Sequence, residues 1–347
     1  MDILKTLRSQ VEQVEVVEIK NEATKVNFES NHFKGSQVEA TSGTALRVIR
    51  DGRLGFSAST LAHAQDKLIQ NALESAAYGD KLPVTFPSQQ SARQVSTYDD
   101  RITALPVSRL VEIGQEVVDI ILRASPQARV NISLERAVQH TTIRNQAGLD
   151  VTFDRSPLSG YVEVIAIQGD DVLILGDLLG FTVWVDEFKA FAHRIADKLI
   201  AASRIATLKS GYQQVLFSPN GSLVLGMPLN EGLNGKNVFL GTSPLRDKLG
   251  EMLFDSKLSI IDDGTLPGRF ASAQYDDEGI PHQRLPLIEA GTVKSFYYDL
   301  KTAIQSGVTS TGNAARSLFT PPRPSHTNLV IQPGDRSFKE IIAGVED

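Results

Sequence analysis

The sequence predicts an α+β protein: an N-terminal α/β domain with an antiparallel-rich sheet and helices over residues 1–209, and a C-terminal, mostly β domain over residues 210–347. Three observations carry this. Residues 14–60 and 128–182 largely alternate apolar and polar side chains, the period of half-buried strands, and the dipeptides Asp51-Gly52 and Gly169-Asp170 supply tight turns that fold neighbouring strands antiparallel. Three segments between and after these carry apolar residues at helical spacing. From Ser210 onward Gly and Pro become frequent and only short β-like runs remain. A chain of 347 residues is long for one core and comfortable for two.

In chain order, a short amphipathic segment from Asp2 to Gln13 opens the sequence. "VEVVEIK", "ATKVNFES" and "HFKGSQVEA" read as strands, punctuated at "SNH" and "TSG", and "GTALRVIRDGRLGFSAST" reads as a hairpin about Asp51-Gly52. Thr60 is placed to cap a helix from Leu61 to about Tyr78. Residues 79–105, rich in Pro, Ser and Gln, read as an exposed crossing loop, and a helix is bracketed by Pro106 and Pro126. Strands over 128–145, 149–156 and 160–182 follow, and then the clearest helix, with Phe188, Phe191, Ile195, Leu199 and Ile205 on one side. The change of character places a domain boundary near residues 207–212. Beyond it, "YQQVLFS", "KLSIIDD", "RLPLIEAGTVKSFYYDL" and "TNLVIQPGD" read as strands, with a helix over Ser218–Leu233 and a last one in "RSFKEIIAGVED". A β domain closing on itself needs more strands than these, so the C-terminal domain is expected to be incomplete at its end.

Composition narrows the function. With 35 basic and 41 acidic residues the net charge is −6, which argues against nucleic acid as the main partner, because phosphate binding needs a basic face. No cysteine is present, which removes disulfides, thiolate metal sites and cysteine nucleophiles and fits a reducing compartment. The charged first twenty residues lack the apolar core of a secretory signal, and no apolar stretch reaches membrane-spanning length. The expectation is a soluble, cytoplasmic protein.

The search for chemistry mostly returns ordinary structure. Of the six histidines, His32, His63, His140, His193, His282 and His326, none precedes a glutamate and no two lie three or four apart, so a helical zinc site cannot be built from them. Only His282 and His326, in loops of the β domain, remain as remote ligand candidates. Ser243 lacks the glycine pattern of a nucleophile elbow. The acidic groups Asp262-Asp263 and Asp276-Asp277-Glu278, each closed by glycine, have the composition of a divalent-ion site but also of a plain loop, and the loop reading carries more weight. "EGLNGKN" lacks the spacing of a phosphate loop, and "STGNAAR", Ser310 to Arg316, offers an anion-binding helix start as an isolated signal.

Four segments together, Gly43–Thr60, Ser243–Leu253, Tyr275–Ala303 and Ser310–Arg316, resemble the TldD/TldE family, also called the PmbA or modulator-of-DNA-gyrase family. The order D-x-E-G, then E-x-G-x-V-K, then S-T-G-N is specific. The resemblance implies a bipartite cytoplasmic metallopeptidase engaged in proteolysis of unfolded or small peptides, such as microcin precursors and a labile antitoxin, in a closed chamber. In that family the TldD type carries zinc on an H-E-x-x-x-H helix, and the TldE or PmbA type lacks it. Here the corresponding helix reads "GMPLNEGLNGK": Asn230 precedes Glu231, Asn234 stands four after Asn230, and Pro228 with Gly226, Gly232 and Gly235 disfavours a regular ligand-bearing helix.

Amides are poor zinc donors, so the resemblance is to the TldE type, with no catalytic or metal-binding residue of its own and zinc only in a TldD-like partner. Chamber or interface residues are expected at Glu231, Asp276, Glu278, Gly279, Ser310, Thr311, Gly312 and Asn313. Family chains continue past "EIIAGVED" with further strands, and in the zinc-bearing type that region adds a cysteine ligand. Two other readings stand beside this one: a stand-alone homodimeric peptide-binding protein, and an autonomous hydrolase using carboxylates or serine.

Overall fold

In the computed structural model, residues 2–203, 207 and 210–344 are described. The chain runs through α1 (Ile3–Leu7), β1 (Gln13–Glu29), β2 (His32–Arg50), β3 (Arg53–Ser59), α2 (Gln65–Ala76), α3 (Asp100–Thr103), α4 (Val107–Ala124), β4 (Arg129–Asn145), β5 (Asp150–Arg155), β6 (Leu158–Gln168), β7 (Asp171–Phe181) and α5 (Phe188–Ala202). These build one antiparallel sheet in the order β3-β2-β1-β4-β6-β7, with β5 sharing the edge of β4 with β6. The strands expected at 14–20 and 23–30 are one strand, paired on both sides by β2 and β4 with no proline to interrupt it. Both turns that join β1, β2 and β3 have positive φ at their central residues, 47° and 75° at Ser30-Asn31 and 52° and 68° at Asp51-Gly52, which matches the right-handed twist of the flanking strands.

Alternation along β1 places two cores on one face of the sheet. Val14 and Val16 join Leu7, Leu46, Val48, Leu68 and Ala72 under α1 and α2. Val26 and Phe28 join Leu110, Ile113, Val117, Ile132 and Phe191 under α4 and α5. Between them, on the same face, Glu18, Lys20 and Glu22 are exposed, so the two helical layers are separated by a polar trough. The opposite face, with Val17, Ala45, Ile143 and Val151, packs on Tyr275 and Leu318 from the C-terminal region.

That region contains α6 (Leu223–Leu233), α7 (Gly235–Leu240), β8 (Ile260–Asp263), β9 (Arg284–Glu289), β10 (Thr292–Val293), α8 (Leu300–Gln305), β11 (Ala314–Ser317), β12 (Thr320–Pro324), β13 (Leu329–Ile331) and α9 (Phe338–Ala343). Its strands form a small sheet, β10-β9-β8-β13, and the β11-β12 pair. The whole is an α+β fold.

Several local expectations differ from the structure. The helix expected from Leu61 starts at Gln65 without a side-chain cap, because Ser59 Oγ accepts from Leu61 N and holds the chain in a turn. Residues 212–217 do not form a strand. Phe296, Tyr297 and Tyr298 enter the C-terminal core instead of a ladder, and Asp299 caps the unexpected α8 through Thr302 N at 2.8 Å. No helix starts at Ser310; β11 follows instead. The expected continuation of the last N-terminal helix through Ile205, the end of the final helix over 345–347 and part of the expected 207–212 boundary lie outside the described residues. Among the described residues no helix is long and apolar enough to cross a membrane.

Gly114, in mid-helix on α4, faces the Phe28 ring so closely that an added Cβ would run into it. Gly114→Ala is therefore expected to lower the urea midpoint, because overpacking of about 1–3 kcal/mol outweighs a propensity gain of about 1 kcal/mol. A raised midpoint would show that α4 can move off the sheet.

Candidate functional site

Helix α6 is short, contains Pro228 and leaves Leu223, Val224, Leu225 and Met227 more than half exposed. Its C-terminal end is tied into the core of the C-terminal region through Tyr297. The Tyr297 hydroxyl donates to Asn230, whose Oδ1 and backbone oxygen both lie at 3.1 Å. Tyr297 N donates to Leu233 O at 3.2 Å, and Gly235 N donates to Tyr297 O at 3.0 Å. Burial, aided by the charges of Glu231 and Asp262, raises the phenol above its ordinary range, so it remains a neutral donor. Glu231 is exposed, and its Oε2 accepts from Asn237 Nδ2 at 2.9 Å. Asn234 Oδ1 caps α7 through Lys236 N at 2.9 Å.

These side chains do not fit a zinc ion. Zinc is held by imidazole, thiolate or carboxylate donors, and activating a water takes three protein ligands with one open position. Here two of the three polar groups are amides, and all three have oxygens engaged in hydrogen bonds that shape the α6–α7 corner. Among the described residues, no group of three His, Cys, Asp or Glu side chains could hold a metal ion.

The acidic turn has a different character. Asp276, Glu278 and Gly279 are buried beneath the N-terminal sheet. Asp276 Oδ1 accepts from Glu278 N and Ile280 N, both at 2.9 Å, and its Oδ2 accepts from Ala314 N at 3.0 Å. Glu278 Oε1 meets Arg47 Nη1 at 2.6 Å, and Oε2 accepts from Leu300 N at 2.7 Å. On its other side Arg47 forks onto Glu15, at 2.8 and 2.6 Å, and Arg316 Nη2 donates to Glu15 Oε1 at 2.7 Å. Gly279 has φ 77°, and a Cβ there would meet Leu149, so both the turn and the packing demand glycine.

Electrostatics follow from this geometry. Burial opposes ionisation of Glu15, but Arg47 and Arg316 outweigh it and hold the carboxyl below its ordinary value. Burial and then the Glu278 charge push Asp276 well up, and the same two causes push Asp299 up to about 6.

The Ser310–Asn313 segment braces the same turn. His282 Nδ1 lies 2.6 Å from Gly312 O, and burial lowers this imidazole to about 4, so it is neutral at pH 7. Thr311 Oγ1 donates to Asn313 Oδ1 at 2.7 Å, and Asn313 Nδ2 donates to Asp262 Oδ2 at 2.5 Å. Ser310 Oγ donates to Tyr298 O at 3.3 Å and accepts from Gly312 N at 3.3 Å. The structure thus joins Asp276, Glu278, Gly279, Gly312 and Asn313 in one buried brace, with Ser310 and Thr311 half-buried at its rim. Glu231 stands apart on α6. Sequence reading missed Glu15 and Arg47 as members; the signal was a charge inside each of two apolar strand runs, "VEVV" and "ALRVI".

Two outcomes follow. Arg47→Met leaves Glu278 buried without its counter-ion and Glu15 with Arg316 alone, and should cost about 3–5 kcal/mol in urea unfolding; an unchanged midpoint would mean that water reaches the joint. Asp299 has a folded-state pKa near 6, above its ordinary 3.8, so the folded chain binds the extra proton. Its contribution is full below about pH 4 and is lost as pH rises through 6, at about 1.4 kcal/mol per unit of displacement. Asp299→Asn keeps the cap and removes the charge, so the difference in urea midpoint between pH 4 and pH 7 should shrink relative to the parent. Parallel pH curves for the two proteins would refute this assignment.

Comparison with known proteins matches three family models: PmbA/TldA metallopeptidase domain 1 over residues 14–77, the central domain over 100–203 and the C-terminal domain over 210–347. An uncharacterised protein of Methanocaldococcus jannaschii is 26% identical over 331 residues, covering 95% of this chain and 77% of its own length. A metalloprotease TldD homologue of Buchnera aphidicola is 33% identical over 163 residues, covering 47% of this chain and 33% of its own. The crystal structure of TldE from Thermococcus kodakarensis superposes with a TM-score of 0.87 at 20% identity, over 99% of this chain and 80% of that one, a likeness of fold.

Proposed function

The chain belongs to the PmbA/TldA metallopeptidase family, and we propose that within it this chain is a non-catalytic, TldE-like subunit that shapes a peptide chamber beside a zinc-bearing, TldD-like partner. The observation that carries this reading is the chemistry of the α6 corner. Asn230 and Glu231 stand where the resemblance puts the first two residues of the zinc motif, the place of its second histidine is Gly235, and the oxygens of Asn230, Glu231 and Asn234 serve Tyr297, Asn237 and the α7 cap. The side chains beside Glu231 are amides, not the imidazole or thiolate donors that would hold a water-activating zinc ion there.

Two further observations support it. The apolar side chains that α6 exposes, Leu223, Val224, Leu225 and Met227, suit a covered interface better than a solvated surface. The carboxylates an autonomous hydrolase would use, Asp276 and Glu278, are buried and engaged on both oxygens. The α6 face serves a second copy of this chain as readily, so a homodimeric peptide-binding protein is the second reading.

The test is a peptidase assay with an unfolded casein or a small peptide, run on the purified chain alone and mixed with a TldD-type protein, with zinc measured by mass spectrometry. The expected result is no chelator-sensitive cleavage and far less than one zinc per chain alone, with cleavage appearing in the mixture. Chelator-sensitive cleavage by the chain alone would overturn the reading, and a stable dimer indifferent to the TldD-type protein would favour the second.

A further inference from the structure

The trough between the two helical layers lies on the face of the sheet opposite the C-terminal region, and nothing in the subunit reading uses it. It holds a hollow of about 570 Å³ floored by β1, β2 and β4 and closed at one side by Ser59–Ala62. A second hollow of about 460 Å³ adjoins it and shares Lys20, Ser42 and His140 as a common wall. Both fall within the size range of small-molecule sites.

Register explains the convergence. Lys20 on β1 is directly opposite Ser42 on β2 and His140 on β4, and Glu18 is directly opposite Thr44 and Thr142. Directly opposed side chains share a face and stand about 5 Å apart at Cβ, so these six groups form a compact polar patch.

The patch is not neutral in its free valences. Glu18 is engaged by Arg144 Nη2 at 2.9 Å, and Asp154 on β5 is engaged by His140 Nδ1 at 2.6 Å. Among the described residues lining the larger hollow, Lys20 is the ionised side chain left without an ion pair. A carboxylate only accepts, so the proton lies on His140 Nδ1 and Nε2 is left free of Asp154. Hydroxyls from Ser42 and Thr44 add donors, and that of Thr142 shares a hydrogen bond with Thr152 Oγ1 at 3.0 Å. In the smaller hollow Glu22 brings a negative charge, and Arg136, whose Nη1 donates to Thr103 O at 2.9 Å, keeps a buried Nε without a partner.

We propose that this trough binds a small polar molecule through an oxyanion, a carboxylate or a phosphate, held between Lys20 and the His140–Asp154 pair and hydrogen-bonded by the surrounding hydroxyls. The remainder of the ligand occupies the adjoining hollow. Lys20 supplies a mobile point charge, the common partner of a phosphate or carboxylate, and the rigid sheet supplies the spacing.

The test is NMR of the full chain. The His140 ring resonances, assigned with His140→Gln, are followed during titration with sodium phosphate and, separately, sodium acetate, at one pH and with ionic strength held by chloride. A saturable shift with either anion supports the site, and the anion that gives it identifies the group. Lys20→Ala should weaken that response about tenfold or more, the loss of one charge-assisted hydrogen bond, while Lys20→Arg retains it. These variants alter an exposed position and leave the α6 corner and the buried brace untouched, so the result is independent of the peptidase assay. A response that stays linear throughout, or that is the same in Lys20→Ala, overturns the proposal.

Discussion

The guanidinium of Arg47 is the point on which the arrangement of the two regions depends. It belongs to the N-terminal sheet, but it is desolvated between Glu15 on the neighbouring strand and Glu278 on the acidic turn of the C-terminal region. Taking one such ion out of water costs several kcal/mol, and the cost is offset only when its partners are in place. The strand register puts Glu15 directly opposite Arg47, so the sheet presents a preformed half of the pair. The other half arrives only when the 276–279 turn docks. Arg316, buried beside them, ties the segment after Asn313 to the same glutamate.

This constraint allots roles to the acidic residues. A carboxylate that bridges two regions cannot also be held ready for a reaction, because each of its oxygens already accepts a hydrogen bond. Asp276, Glu278, Gly312 and Asn313, in the most distinctive blocks of the sequence, are thus held in a buried brace, with Ser310 and Thr311 half-buried at its rim. Two surfaces open to other molecules lie elsewhere: the exposed apolar side of α6, and the trough on the far face of the sheet. The first face is apolar and outward, the second polar and concave, so different physical forces govern contacts there.

Much of this was legible beforehand, element by element. The alternation of residues 14–60 and 128–182 foretold the sheet, and Asp51-Gly52 foretold its hairpin, because both are consequences of local geometry. The helix bracketed by Pro106 and Pro126 was read nearly to the residue, since proline acts on its own neighbours. The two missed strands share one cause. The run from Phe296 to Tyr298 has the composition of a strand, but its rings are drawn into the small core and the backbone turns into α8. Residues 212–217 have the same composition and do not form a strand. Strand propensity describes fitness for a pleated surface and cannot say whether a neighbouring strand is present.

By itself the sequence determined the fold class, the hairpins, the absence of histidine and cysteine where a zinc helix would need them, and the family pattern, for these depend on residue types and on spacings within one segment. Only the tertiary structure decided which charges meet. Glu15, Arg47, Glu278 and Arg316 are separated by up to 301 positions, and Lys20, Ser42 and His140 come from three strands. Burial and pairing are properties of the packed chain, so the change from solvated acidic loop to desolvated brace, and from scattered polar residues to a single hollow, could not be read until the chain had folded.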